Sequence, residues 1–231
     1  MHPLDRPVWS SLCSFHLQLS VGDDRARRYQ SDINLFASAS DDTDSALSAL
    51  GTLVGPGARV FVLQVPEIIV PPELTAIKRA RGVQMIATKL ERIEDRRAEM
   101  ISLTDADASD MLALASLTEP GPFLERTHVM GSFLGIRVSG RLVAMAGERF
   151  RFPGFTEVSG VCTHPDFRGR GFARALSAEV ARRIESRGDR PFLHAWKTNS
   201  AAIALYESLG FELRAEVDVA VLERALPAPA R

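Results

Sequence analysis

The chain has 231 residues, 45% of them hydrophobic and 25% charged, with a formal net charge of −1 and a pI near 6.5. That length carries one large domain or two small ones. The balanced charge leaves no basic surplus to neutralise nucleic-acid phosphates, and the best apolar run, ARVFVLQVPEIIV, is broken by Gln64, Pro66 and Glu67 before it can span a membrane.

The N-terminal stretch MHPLDRPVWSS lacks a signal-peptide pattern. Cys13 and Cys162 make no disulfide framework, which suits a reducing cytoplasm. The basic residues are nearly all arginine, with lysine only at 78, 89 and 197; this reads as the coding bias of a GC-rich bacterial genome. Through the first 88 residues NLFASAS, SALSALGTLV, ARVFVLQV, PPELTAIKR and GVQMIAT suggest alternating strands and helices, a small N-terminal α/β region. The mixed-charge stretch around 89–98 is expected to be a linker or a solvated edge. A strand, a turn and a helix follow, with Asp105 or Asp107 near the helix cap. Pro120-Gly121-Pro122 makes a sharp loop, and a short helix is expected from about Phe123. Residues 132–164 read as three strands joined by turns at Ser139-Gly140 and Pro153-Gly154.

The next stretch, HPDFRGRGFARALSAEVARRI, joins a strand to a helix. Phe172, Ala175, Leu176, Val180 and Ile184 recur near helical spacing, and Gly188 stands where a helix would end. A glycine-rich turn at a helix start exposes unpaired N–H groups at the positive end of the dipole, a site for phosphate. The P-loop spacing is absent, and a dinucleotide fingerprint starting at Gly169 fails at Arg174, where a small residue is needed. What fits is Arg168-x-x-Gly171-x-Ala173. A strand at Phe192–Trp196 follows, then Asn199-Ser200 as helix cap, a helix Ala201–Leu209, and Gly210-Phe211, with two strands expected to close the order.

The loop resembles the acetyl-CoA pyrophosphate loop of the GNAT superfamily of N-acetyltransferases, whose pattern is Gln/Arg-x-x-Gly-x-Gly/Ala. A second GNAT signature is matched by Asn199, Ala202, Leu205, Tyr206, Glu207, Leu209, Gly210 and Phe211. The resemblance covers roughly residues 99–225 and leaves 226–231 as a flexible tail. It implies the GNAT fold: a mixed, mostly antiparallel sheet flanked by helices and splayed between its fourth and fifth strands. Residues 1–88 would then be a separate α/β region, open to being a degenerate half-copy of that fold. Their expected role is to cover the catalytic domain or to shape the acceptor pocket.

The resemblance implies an acyltransferase that moves the acetyl group of acetyl-CoA directly to an amine in a ternary complex, without a metal. Two other readings stay open: a catalytically silent acyl-CoA-binding or regulatory protein, and an enzyme using a longer acyl-CoA. The amine belongs to a small molecule or a peptide, and a homodimer is left open. Pantetheine would pair with the exposed edge at Val161, Cys162 and Thr163. The pyrophosphate would sit on Arg168, Gly169, Arg170, Gly171, Phe172, Ala173 and Arg174. Cys162 as a nucleophile is set against Cys162 as a small buried hydrophobe, the favoured reading. Asn199 would cap its helix and meet the cofactor. Tyr206 would protonate the departing thiolate. His194 is the first candidate for the general base and Glu157 the second, ahead of Glu148 and His164.

Overall fold

The computed structural model describes residues 2–91 and 99–226. Most of the linker expected at 89–98, and residues 227–231 of the expected tail, lie outside the described residues. In chain order, helix α1 (Pro7–Leu12) precedes three short strands, β1 (Ser20–Gly22), β2 (Ala26–Tyr29) and β3 (Ala37–Ala39), which form a small antiparallel sheet. Helix α2 (Asp44–Leu53) and strands β4 (Arg59–Gln64) and β5 (Thr75–Ala87) come next. After them come β6 (Ile101–Leu103), α3 (Ala108–Thr118), β7 (Phe133–Val138), β8 (Arg141–Phe152) and β9 (Phe155–Thr163). The chain closes with α4 (Phe172–Ser186), β10 (Arg190–Trp196), α5 (Ser200–Glu207) and β11 (Phe211–Glu223).

Strands β4 to β11 form one eight-stranded sheet in the order β4-β11-β5-β10-β9-β8-β7-β6, with β9 and β10 parallel and the other neighbours antiparallel. Two strands from the first 88 residues therefore lie in the same sheet as the remainder, and β5 stands between β10 and β11. Successive side chains serve opposite faces, as the pleat requires. Ile86 and Phe192 pack with Leu4, Val8, Leu12 and Tyr29 of the N-terminal segment. Their neighbours Met85 and Leu193 pack with Leu176, Val180 and Ile184 of α4. Each large aliphatic side chain taken fully out of water adds about 1.5–3 kcal/mol.

Helix α4 begins and ends as the apolar spacing predicts, with Gly188 in the left-handed region just past its end. Two other expectations are corrected. No α-helix starts at Phe123; the chain makes a single 3-10 turn at Thr127–Met130. The Thr127 hydroxyl accepts from the Leu124 N–H at 2.7 Å and donates to the Ile33 carbonyl at 2.6 Å, so a tertiary anchor replaces a helical one. The two strands expected after Gly210 are one continuous strand, β11, because β5 pairs along it from Phe211↔Ala87 to Glu223↔Thr75.

The wedge in the sheet arises at β9. Between the pairs Met145↔Cys162 and Gly147↔Ser159, two residues of β9 oppose one of β8, a bulge. Gly160 takes φ 62° there, and a Cβ at this position would stand 2.9 Å from the Phe133 ring. Parallel pairing with β10 covers only Phe155, Thr156 and Glu157. Beyond Glu157 the two strands part, while β10 stays paired to β5 through Trp196.

The N-terminal segment is held by a buried polar cluster. His16 Nδ1 lies 2.9 Å from both the Ser11 and Tyr29 hydroxyls. Burial pushes the His16 imidazole down to about 4, so the folded chain keeps it neutral. A depressed histidine value means stability is present above the unfolded value of about 6.5 and is lost as pH falls towards 4. The loss from this site is about 3 kcal/mol at its limit. Chemical denaturation of wild type and His16→Asn between pH 7 and 4 should show a steeper decline in the wild type. Equal slopes would mean that His16 charges freely in the fold.

Candidate active site

The wedge between β9 and β10 opens into a cavity of about 1040 Å³. Gly169, Gly171, Phe172 and Ala173 line one end, and Phe36, Phe61, Leu63, Val217 and Val219 the other. His194 and Tyr206 line it between these ends, and Arg149 stands at the second end beside Phe36.

At the loop end, Gly169 and Gly171 take φ values of 76° and 79°. A Cβ at either position would meet nothing within 4 Å. The glycines therefore serve a left-handed backbone, and the space before them is open. Gly171 caps α4, and the Ala175 N–H is the donor to its carbonyl at 3.0 Å. The N–H groups of Phe172, Ala173 and Arg174 precede that bond and have no helical acceptor. Together with the helix dipole they form a seat for an anion. Arg168 and Arg170 flank the seat, and Arg170 rests over the Phe167 ring at 4.8 Å. Arg174 also lines the cavity, but its guanidinium leans back on Ser208, just past the end of α5.

Val161, Cys162 and Thr163 lie on the stretch of β9 that β10 no longer pairs, so backbone groups on that side are available to an extended ligand. The Cys162 side chain packs among Met111, Leu114, Phe133 and Met145. Burial pushes its thiol up to about 11, a poor setting for a nucleophile. Asn199 caps α5 as expected, accepting from the Ala202 N–H at 3.1 Å, and it lines the cavity.

The three candidate catalytic residues converge, but in unequal positions. Tyr206 projects from α5 with its ring against Phe211. Burial, and then the nearby negative charge of Glu157, push its phenol up to about 12. It therefore keeps its proton throughout the neutral range. Glu157 is fully buried and does not line the cavity. Arg149 holds it with two bonds of 2.7 Å, from Nε to Oε2 and from Nη2 to Oε1. Burial alone would raise this carboxyl, but the charge and bonds of Arg149, helped by His194, bring it well below the usual carboxylate range. Glu148 is paired with Arg187 at 2.8 Å, and His164 accepts from the Asp166 N–H in the turn after β9; neither lines the cavity.

His194 has both ring nitrogens engaged. Its Nδ1 lies 2.7 Å from Glu157 Oε1 and its Nε2 3.0 Å from Gln84 Nε2. The orientation of the Gln84 amide follows from its other partners. Its nitrogen donates to the Leu4 carbonyl, which can only accept, and its oxygen accepts from Arg214, which can only donate. Gln84 therefore donates to His194 Nε2, and His194 donates from Nδ1 to the carboxylate. The one lone pair of the ring is occupied by a buried amide. Neither His194 nor Glu157 stands as a free proton acceptor in this arrangement.

Sequence reasoning missed Arg149, Gln84, Phe36 and Phe61. A lone glutamine inside GVQMIA, and an arginine between Glu148 and Phe150 in ERFRF, are polar residues inside otherwise apolar strands. That pattern was the available signal.

A family model described as FR47-like protein matches residues 133–219. An acetyltransferase of Yersinia enterocolitica is 38% identical over 98 residues, covering 41% of this chain and 68% of that protein. An acetyltransferase of Pectobacterium atrosepticum is 35% identical over 99 residues, with coverage of 41% and 68%. A solved structure, described as a putative acetyltransferase from the GNAT family of Novosphingobium aromaticivorans, superposes with a TM-score of 0.90 at 39% identity, covering 97% of this chain and 100% of that one.

The chain has two tyrosines, and burial raises both phenols above their usual value of 10.0. Raised values mean that the folded form keeps protons the unfolded form loses. Stability is therefore full below about pH 10 and is lost as pH climbs above it. Absorbance titration should show no tyrosinate step near pH 10, and both tyrosines should ionise together with unfolding. A reversible one-tyrosine step near pH 10 in the folded chain would mean that the phenol of Tyr206 is solvated.

Proposed function

The chain belongs to the GNAT family of acetyltransferases, and on that premise we propose that it passes the acetyl group of acetyl-CoA directly to an amine with both substrates bound. The observation that carries this reading is continuity. One cavity runs from the anion seat at Gly169–Arg174, along the unpaired edge of β9, to the Tyr206 ring and the apolar end beyond it. A long donor with phosphates at one end and a thioester at the other fits that course. The pyrophosphate takes the N–H groups of the loop, and the pantetheine arm extends β9 by main-chain hydrogen bonds. The thioester then lies near Tyr206, with the acceptor beyond it.

Chemically, the amine nitrogen attacks the acetyl carbon, and the carbon–sulfur bond then breaks. The Tyr206 hydroxyl, protonated at neutral pH, gives its hydrogen bond and proton to the leaving sulfur. The amine releases one proton, which restores the phenol by way of solvent. The residues behind the cavity wall act as a frame: Glu157 and Gln84 fix the His194 ring between them.

Gly171→Val should weaken acetyl-CoA and CoA by at least about tenfold in isothermal titration, because valine strains a positive φ and fills the approach to the N–H groups. Unchanged affinity in the folded variant would remove the loop from the site. Tyr206→Phe keeps the ring and removes the hydroxyl. With chemistry limiting, kcat should fall by about 10²–10⁴-fold while CoA affinity holds. A wild-type kcat would end the assignment of Tyr206 as acid.

A further inference from the structure

The end of the cavity farthest from the glycine loop has a distinct chemistry. Phe36 and Phe61, with ring centroids 5.7 Å apart, line it together with Leu63, Val217 and Val219. Arg149 is the charged side chain at this end, and its guanidinium lies 4.8 Å from the Phe36 ring centroid and 4.5 Å from that of Phe150. Its Nε and Nη2 are spent on Glu157. Its Nη1 makes no hydrogen bond among the described residues and is not a sealed, unsatisfied atom, so it faces the cavity.

Among the described residues, no carboxylate at this end is free to meet an ammonium. Glu157 is sealed behind Arg149, with Oε1 shared by Arg149 and His194 and Oε2 held by Arg149. Among the described residues, the carboxylate that does line the cavity is Glu119, which is exposed and stands at the end of α3 beside Pro120. The His194 imidazole offers it no free lone pair either, because Gln84 occupies Nε2. A lysine-like amine is uncharged in only about one molecule in 2,500 at pH 7. An amine on an aromatic ring is uncharged throughout the neutral range and needs no base before it attacks. Aromatic walls suit its ring. The Arg149 charge is already balanced by Glu157, so its spare N–H groups suit a neutral carbonyl better than a carboxylate.

We propose, building on the acetyl-transfer reading, that the acceptor is an aromatic amine, uncharged at neutral pH, whose ring lies against Phe36 and Phe61 and whose carbonyl or similar neutral acceptor takes the Nη1 hydrogens of Arg149. The nitrogen–carbon bond forms and the carbon–sulfur bond breaks. The amine gives up one proton and the thiolate gains one through Tyr206, leaving an N-aryl acetamide and CoA.

The test compares three probes by thiol release from acetyl-CoA: 4-aminobenzamide, 4-(aminomethyl)benzamide and aniline. The second differs from the first by one methylene and a strongly basic nitrogen. At pH 7 kcat/KM should be at least about 10²-fold higher for 4-aminobenzamide than for 4-(aminomethyl)benzamide. It should stay level from pH 6 to 8.5 for the former and rise about tenfold per unit for the latter. Aniline, lacking the carbonyl, should lose about tenfold in KM. Phe61→Ala should weaken 4-aminobenzamide and leave CoA affinity unchanged. Preference for the benzylic amine at pH 7, abolished in Glu119→Gln, would overturn the proposal in favour of an ammonium held by that carboxylate. Calorimetry with CoA alone and with 4-aminobenzamide alone separates the two readings. Loss of CoA affinity would count against the donor, and CoA binding without binding of the aryl amide would count against this acceptor.

Discussion

A carboxylate with no exposed surface stands at the point where the sheet divides. Glu157 is the last residue of β9 paired to β10, and an uncompensated charge at that depth would cost several kcal/mol. Its partners come from both neighbouring strands: Arg149 from β8 and His194 from β10. The same three residues thereby tie together the strands that separate a few residues further on. The bulge at Gly160 opens the wedge, and the ion pair sets where the opening starts. Removing one partner would leave the other charge buried, so this arrangement is expected to be all or none.

The network does not end within these three strands. Gln84 on β5 links His194 to the Leu4 carbonyl, and Arg214 on β11 links Gln84 to Asp5. The first residues of the chain thus reach the imidazole through one amide. Phe36, from the same N-terminal segment, lies at the Arg149 guanidinium and lines the cavity. The N-terminal segment therefore supplies part of the cavity wall as well as cover for one face of the sheet. Its buried polar cluster of Ser11, His16 and Tyr29 reaches β8 through the Arg151 N–H, which donates to the Ser11 hydroxyl at 3.1 Å, so its docking responds to pH as well as to packing.

The two ends of the cavity use different physics. The loop end is backbone chemistry: unpaired N–H groups, a helix dipole, and glycines that keep side chains away. The far end is side-chain chemistry: aromatic rings and one guanidinium whose charge is already matched. Tyr206 stands between them, sealed well enough to keep its proton and open enough to touch the cavity.

That division explains what could be read in advance. Glycine turns, helix caps and the spacing of Leu205, Tyr206 and Gly210 are local, set by φ values and by partners a few residues apart, so they are legible in a linear string. The family, the fold class, α4 with its loop and the cap at Asn199 all belong to this class. Residues 1–88 yielded only alternating patterning. β5 takes its place between β10 and β11 by pairing with residues more than a hundred positions away, and no local signal carries that. The single strand β11, in place of two, follows from the same pairing. Glu157 and His194 were visible as titratable residues near a cleft. Their roles depended on Arg149 and Gln84, whose contacts exist only once β5, β8 and β10 are side by side. Sequence alone determined the glycine loop and the helix start at one end of the cavity, because backbone conformation is a local property. Tertiary structure decided the far end, because whether a buried acid or imidazole can take a proton depends on which distant residue fills its remaining hydrogen bond.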